Sequence, residues 1–234
     1  MITAILFDLD GTLLPMDQDK FVSNYLPCMT KKMSEYGYDP NALMQTIYAG
    51  IKAMVKNDGS VTNKEAFWNT AAEILGPDVR KDEPLFEDFY RNEFQQAKTT
   101  CGYTSLATEA VRDAKAKGCR VILATNPLFA SVATYSRIRW AGLEPEDFEY
   151  ITTYENSSHS KPNLDYYREL MGKLDLKAEQ CLMVGNDMDE DMIAENLGMR
   201  AFLLTDCLIN RKNQDISKYP HGSFPELLSY IRSL

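Results

Sequence analysis

The sequence predicts an α/β chain whose parallel sheet carries chemistry at the carboxyl ends of its strands and is interrupted early by a long helical segment. Three observations predict this. The apolar run Ile2 to Phe7 leads straight into Asp8-Leu9-Asp10-Gly11-Thr12. Two later apolar runs, Cys119 to Ala124 and Cys181 to Gly185, also end in polar clusters. Between them, Pro15 to Thr99 shows helical patterning without strand alternation. Strands that alternate with helices build parallel sheets, and open sheets of this kind bind ligands beyond the carboxyl ends of their strands.

The first strand delivers two aspartates one residue apart, a glycine that lets the chain curl, and a threonine hydroxyl. This makes a poor core and a good phosphate-and-metal site, although Asp-Gly is also a common turn pair. Aspartates ~4 Å apart repel by ~4 kcal/mol at the effective dielectric near a protein surface. A site built on Asp8 and Asp10 therefore demands a cation, a further acid and a basic side chain from later strands.

The interval that follows is too long for a simple crossover. Phe21, Tyr25, Met29 and Met33, then Phe86, Phe89 and Tyr90, recur at helical spacing, and Gly37, Pro40, Gly59, Gly76 and Pro77 punctuate the segment into several helices. These aromatic stripes, Trp68 included, read as core rather than as a substrate platform. Lys52 and Lys56, four apart, read as a solvated helix face.

A helix with Leu106, Ala110 and Ala114 on one face ends at Gly118, and the next strand runs into Thr125-Asn126-Pro127. That hydroxyl and amide can donate to a phosphoryl oxygen; Asn-Pro also simply initiates turns. Lys161-Pro162 is expected to open a helix with Leu164, Tyr167, Leu170 or Met171, and Leu174 along one side. A lysine at a helix entrance runs against the dipole, which suits a group that meets an anion there; an ordinary exposed lysine is the plainer reading. His159, two residues earlier, reads as loop decoration. After Gly185 comes Asn186-Asp187-Met188-Asp189-Glu190-Asp191, in which Asp187 and Asp191 share a face if a helix starts here. Acids also favour a first helical turn for dipole reasons alone.

Taken in order, Asp8/Asp10, Thr125/Asn126, Lys161 and Asp187/Asp191 resemble the motif set of the haloacid dehalogenase-like hydrolase superfamily, in particular its phosphatase branch, over essentially the whole chain. The resemblance implies a Rossmann-like core, residues 1–15 and 100–234, with a helical cap domain over 16–99 inserted between the first two motifs. Such a cap closes over the site and selects the substrate. The implied activity is Mg²⁺-dependent hydrolysis of a small phosphorylated metabolite through an aspartyl-phosphate. Carried over residue by residue, Asp8 is the nucleophile. Asp10 is the general acid, with its carbonyl touching the metal. Thr125 and Asn126 bind the phosphoryl oxygens, and Lys161 bridges nucleophile and phosphate. Asp187 and Asp191 complete the metal site with Asp8 and Asp10. The family pattern Gly-Asp-x-x-x-x-Asp has Asn186 in place of its first acid here, so Asp187 is read as the direct ligand and Asp191 as the group that orients it. Mg²⁺ prefers such a site, a few carboxylates plus water and phosphate. Dehalogenase and phosphonatase relatives generally lack the second acid, so Asp10 argues for phosphoesters. A phosphotransferase or mutase of the same family is the alternative, and a non-catalytic binding protein on this fold is a third reading.

Composition bounds the partners. A formal net charge of −9 argues against nucleic acid and anionic membranes as partners. No apolar stretch is long enough to span a bilayer, and a first strand beginning at Ile2 leaves no room for a signal peptide. Five cysteines, odd in number and without Cys-x-x-Cys spacing, are expected as free thiols in a reducing cytoplasm, with Cys119 and Cys181 small and buried in strands. Only two histidines, His159 and His221, argue against a histidine zinc site.

Overall fold

A computed structural model describes residues 1–234. Strand β1 spans Ala4–Phe7 and is followed by helices α1 (Gln18–Ser34), α2 (Pro40–Val55), α3 (Asn63–Leu75) and α4 (Glu83–Arg91). Helix α5 (Ser105–Ala116) leads to β2 (Arg120–Leu123), then α6 (Ser131–Trp140), β3 (Tyr150–Ile151), α7 (Leu164–Leu174) and β4 (Cys181–Gly185). Strands β5 (Arg200–Leu204) and β6 (His221–Gly222) and helix α8 (Phe224–Ser233) complete the chain. The first strand thus starts two residues later than the apolar run suggests, although Ile2 is itself buried.

All six strands run parallel in the order β3-β2-β1-β4-β5-β6. Parallel strands covered on both faces read as continuous apolar runs, and every residue of β1 is fully buried. Alternation assigns the two faces. Ile5, Phe7, Val121 and Val184 share a cluster with α5 and α8, through Ala110 and Leu227 among others. Leu6, Ile122 and Met183 instead pack on Tyr166, Tyr167 and Leu170 of α7. The strand order reverses between β1 and β4, the position where such sheets leave a crevice.

The segment between β1 and α5 is helical throughout, as the spacing predicts. Its starts are set by local chemistry: Asp17, Asp39 and Thr62 each accept a backbone N–H from the first turn of α1, α2 and α3. Phe21, Tyr25, Met29, Met33, Trp68, Phe86 and Phe89 are buried, and they join one continuous cluster with the sheet. Phe21 and Trp68 meet Phe94 and Phe86 edge-on at 5.9 and 5.4 Å. The chain enters and leaves this segment through paired linkers: Met16 bridges Cys101, and the Gly102 N–H donates to the Pro15 carbonyl at 2.7 Å. Lys52 and Lys56 lie exposed on the outer side of α2. No helix is long and apolar enough to cross a membrane. The five cysteines are free thiols, with Cys119 and Cys181 buried.

Two local expectations are corrected. Lys161-Pro162 does not open a helix. The peptide bond is cis, and α7 starts at Leu164, because the Asn163 side chain caps it by accepting the Asp165 N–H. Lys161 therefore lies in the loop after β3, where its own N–H donates to Asn126 Oδ1 at 3.2 Å. Nor does a helix begin after Gly185. Asp187 to Asp191 form a turn, closed by Asp191 N–H to Asp187 carbonyl and by Asp187 N–H to Asp191 Oδ2, both at 3.0 Å. A short 3-10 helix follows at Met192–Leu197. The Asp187 side chain accepts the amides of Asp189 and Glu190 at 2.7 and 3.0 Å, which fixes the turn against the helical alternative.

Candidate active site

Register brings three polar strand exits side by side. Asp8 N–H donates to the Val184 carbonyl at 2.9 Å, and Ala124 N–H donates to the Phe7 carbonyl at 2.7 Å. Asp8, Thr125 and Asn186 therefore leave the sheet together. Gly11 adopts φ +84°, and a Cβ there would lie 2.3 Å from Asn186 Nδ2, so the turn after Asp10 needs glycine twice over. It returns Thr12 to the site, where the hydroxyl lies 3.1 Å from Asp8 Oδ2 and 3.0 Å from Asn186 Oδ1.

The loop after β3 brings Lys161 to this point. Lys161 is 1% exposed, and its ammonium donates to Asp8 Oδ1 at 3.0 Å and to Asp191 Oδ1 at 2.6 Å. Burial alone would lower its pKa, but the Asp191 and Asp8 carboxylates outweigh that and hold it well above the ordinary lysine range. The lysine is charged throughout the physiological range. Asp191 is fully committed, one oxygen to Lys161 and the other to the Asp187 amide. Gly185 makes room for it, since a Cβ there would stand 2.1 Å from Asp191 Oδ2.

Of the expected residues, Asp8, Asp10, Lys161, Asp187 and Asp191 converge. Thr125 is buried beside them, its carbonyl accepting from the Thr152 and Tyr166 hydroxyls at 2.6 and 3.0 Å. Asn126 is tied down within the chain: its amide Nδ2 donates to both Glu190 oxygens at 3.0 and 3.1 Å, while Oδ1 holds the Lys161 backbone. His159, read as loop decoration, pairs with Glu169 of α7 at 2.8 Å and lies against Gly59.

A family model of haloacid dehalogenase-like hydrolases matches residues 2–195, most of the chain. The chain belongs to the haloacid dehalogenase-like hydrolases. It is 22% identical over 241 residues to the glyceraldehyde 3-phosphate phosphatase of Methanothermobacter thermautotrophicus, covering 93% of this chain and 92% of that protein. It is 24% identical over 209 residues to the ribulose-1,5-bisphosphate 5-phosphatase of Halopiger xanaduensis, covering 84% and 81%. Among solved structures, a 2-haloacid dehalogenase from Pseudomonas syringae pv. Tomato superposes with a TM-score of 0.64 at 18% identity, covering 98% of this chain and 99% of that one. That likeness concerns the fold.

Two residues of this hydrolase's site escape the sequence reading. Arg137, in α6 and with its side chain fully buried, forms an ion pair with Asp10 Oδ2. Its guanidinium also contacts the Ala133 carbonyl and Thr134 hydroxyl and lies 4.1 Å from the centre of the Phe129 ring. Burial pushes the Asp10 carboxyl above its ordinary value and Asp8 adds to that, while Arg137 and Lys161 pull it back without cancelling the rise. The other oxygen of Asp10, Oδ1, is buried and has no hydrogen-bond partner. Glu190 is the second missed residue, its carboxyl pushed up to about 8 chiefly by burial.

Acids outnumber cations at the site. Asp8, Asp10, Asp187, Asp191 and Glu190 surround only Lys161 and Arg137, and burial holds Asp10, Asp191 and Glu190 above their ordinary values. Asp8 and Asp187 are hard carboxylate donors, the chemistry a small divalent ion such as Mg²⁺ prefers. Asn186 is already spent, with Oδ1 accepting from Thr12 and Nδ2 donating to the Cys207 carbonyl at 2.6 Å.

Arg137→Met leaves Asp10 without its counter-charge. With Asp10 as the general acid that the family resemblance implies, kcat is expected to fall by about 10²-fold, and the fold to lose about 3 kcal/mol. Phosphate release and thermal melts check both; unchanged kcat would place Arg137 outside the site's function.

Proposed function

We propose that this hydrolase is a phosphatase that removes a phosphoryl group from a small phosphomonoester through a covalent phosphoryl-Asp8 intermediate. The observation that carries the reading is the buried Asp8–Lys161–Asp191 relay with Asp10 two residues on, one oxygen of that acid unpaired. The phosphatase names of the relatives at 22–24% identity agree with it.

Asp8 Oδ attacks phosphorus as the bond to the leaving oxygen breaks, and Asp10 Oδ1 gives that oxygen its proton. Water then attacks the phosphoryl-aspartate and loses a proton to Asp10, which regenerates both acids and releases inorganic phosphate. The raised pKa of Asp10 suits a group that must start protonated. Arg137 fixes its other oxygen, so Oδ1 alone is presented to the leaving group. Lys161 holds Asp8 Oδ1 through its ammonium and offsets negative charge on the incoming phosphoryl group. A Mg²⁺ ion held by Asp8 and Asp187 would supply the remaining charge neutralisation and orient the phosphate. Thr125 and Asn126 border the phosphoryl position, and Asn126 serves it after exchanging its bond to Glu190. Asp191, which accepts the Asp187 N–H, would orient that ligand rather than touch the ion.

The same reading divides the chain into a core, residues 1–15 and 100–234, and a cap, residues 16–99. The paired linkers at Pro15–Met16 and Cys101–Gly102 support that division.

Two measurements test the assignment. Purified protein with Mg²⁺ should release inorganic phosphate from a phosphomonoester without any added acceptor; a requirement for an acceptor would make it a phosphotransferase instead. Asp187→Ala should raise the Mg²⁺ concentration needed for half-maximal rate by about 10- to 100-fold, more than Asn186→Ala does. Asn186→Ala should mainly cost stability, about 1–2 kcal/mol, through its lost bonds to Thr12 and Cys207. The reverse ranking of metal dependence would shift the ligand to Asn186.

A further inference from the structure

Over Asp10 the site opens into an apolar chamber. A cavity of about 270 Å³ runs from Asp10, Asn126 and Glu190 into the helical segment, and 18 of its 24 lining residues are hydrophobic. Phe21, Tyr25, Ile51, Phe67, Trp68 and Phe129 form much of its wall. No lysine, arginine or histidine lines it; its charged residues are the acids Asp10, Glu83, Glu87 and Glu190.

These acids are already engaged. Glu83 pairs with Lys64, Glu87 with Arg91 at 2.6 Å, Glu190 with the Asn126 amide and Asp10 with Arg137. A second phosphate or a carboxylate entering here would meet acids and no cation. A string of hydroxyls would meet mostly aromatic and aliphatic faces, with the Tyr25, Tyr48, Tyr90 and Tyr154 hydroxyls and the Gln18 side chain as scattered partners, and would lose hydrogen bonds made in water. A cationic head group would find Glu83 and Glu87 already in ion pairs, with only Glu190, bonded to a neutral amide, and Asp10 Oδ1 left to meet it. The space therefore fits a neutral apolar group. An engineered cavity of about 150 Å³ takes up benzene, so this one accommodates a group of about bicyclic size. Trp68 Nε1 is buried without a hydrogen-bond partner, which leaves a donor, beside the tyrosine hydroxyls of the wall, for an acceptor oxygen on the occupant.

We infer that the site acts on phosphomonoesters of neutral, largely apolar alcohols, aromatic or branched, and discriminates against bisphosphates, phosphorylated acids and small sugar phosphates. This specificity rests on the phosphatase reading above and departs from the substrates in the relatives' names.

The test compares 2-phenylethyl phosphate with glycerol 3-phosphate and ribulose 1,5-bisphosphate, using the full chain with Mg²⁺. The first two esters share a primary alcohol leaving group, so their ratio reads the cavity rather than intrinsic reactivity. Burying the phenyl group should raise kcat/KM for 2-phenylethyl phosphate by about 10- to 100-fold over glycerol 3-phosphate, with ribulose 1,5-bisphosphate lowest. Ile51→Trp, which fills part of the chamber, should pull that ratio down by about tenfold; Val22→Phe provides the same test if the first variant does not fold. Equal or better turnover of glycerol 3-phosphate or ribulose 1,5-bisphosphate overturns the specificity and leaves the phosphatase reading standing. If no ester is hydrolysed, the phosphatase reading falls, and calorimetric titration with 2-phenylethanol decides the cavity. Binding that Ile51→Trp or Val22→Phe weakens supports an apolar-ligand chamber, and absence of binding rejects it.

Discussion

Asp8→Asn is expected to abolish phosphate release while the protein stays folded. Asparagine is isosteric and can keep both contacts of the carboxylate, its oxygen accepting from Lys161 and its amide donating to the Thr12 hydroxyl. What disappears is the charge, and with it the nucleophile. Removing a nucleophile that acts as a unit with its partners lowers kcat on the order of 10⁴-fold or more. The stability change should be small, because Lys161 retains Asp191. A loss of about 1–2 kcal/mol corresponds to a Tm drop of about 2–8 °C for a chain of this size. Colorimetric phosphate detection and a circular dichroism melt measure the two effects. Substantial activity in the variant would remove Asp8 from the chemistry, whereas an unfolded variant would show that the carboxylate is needed to hold the sheet edge together.

The contrast between Asp8 and Arg137 shows what the sequence makes legible. Asp8, Asp10, Asn186 and Asp187 follow strands directly, and strand exits can be read from short apolar runs that stop at polar residues. Lys161 is found through its motif, while its expected place at a helix entrance is wrong: Asn163 is the better cap, so the lysine stays in the preceding loop. Strand β3 has only two residues, too few for any periodicity to mark it. Arg137 lies near the end of α6 beside Arg139, and both look like ordinary last-turn cations. One signal separates them. Arg137 has Ala133 and Ala141 four residues to either side, both fully buried, so it lies on an inward stripe, whereas Arg139 is exposed and pairs with Glu144. The helical interval is readable because Phe21, Tyr25, Met29 and Met33 repeat at one face. Its aromatic residues read as core, and Phe21, Tyr25, Trp68, Phe86 and Phe89 are buried while Tyr90 is half-buried, but Phe21, Tyr25, Trp68, Phe86 and Tyr90 also line the chamber over Asp10. Spacing cannot distinguish a wall that packs from a wall that encloses space.

Lys161→Met should be the most damaging single change for stability. The ammonium is the shared partner of two carboxylates, Asp191 at 1% side-chain exposure and Asp8 at 10%. Methionine keeps most of the volume, so packing is nearly conserved and the loss is electrostatic. Breaking a buried pair by deleting one member costs about 3–5 kcal/mol, because the remaining charge is stranded. For a chain of this length that lowers Tm by about 6–20 °C. Removing one of the stranded charges as well should restore part of the loss. In Lys161→Met/Asp191→Asn the side-chain oxygen of the introduced asparagine can still accept the Asp187 N–H, and the double variant should be more stable than the sum of its single changes by about 1–3 kcal/mol. Activity should not return with the stability, since Asp8 then faces the phosphoryl group without its counter-charge. A thermal melt and a phosphate-release assay on the same three variants separate the two roles. Additive stability losses would show that Lys161 and Asp191 do not act as a pair, and recovery of turnover in the double variant would show that the lysine serves the fold rather than the reaction.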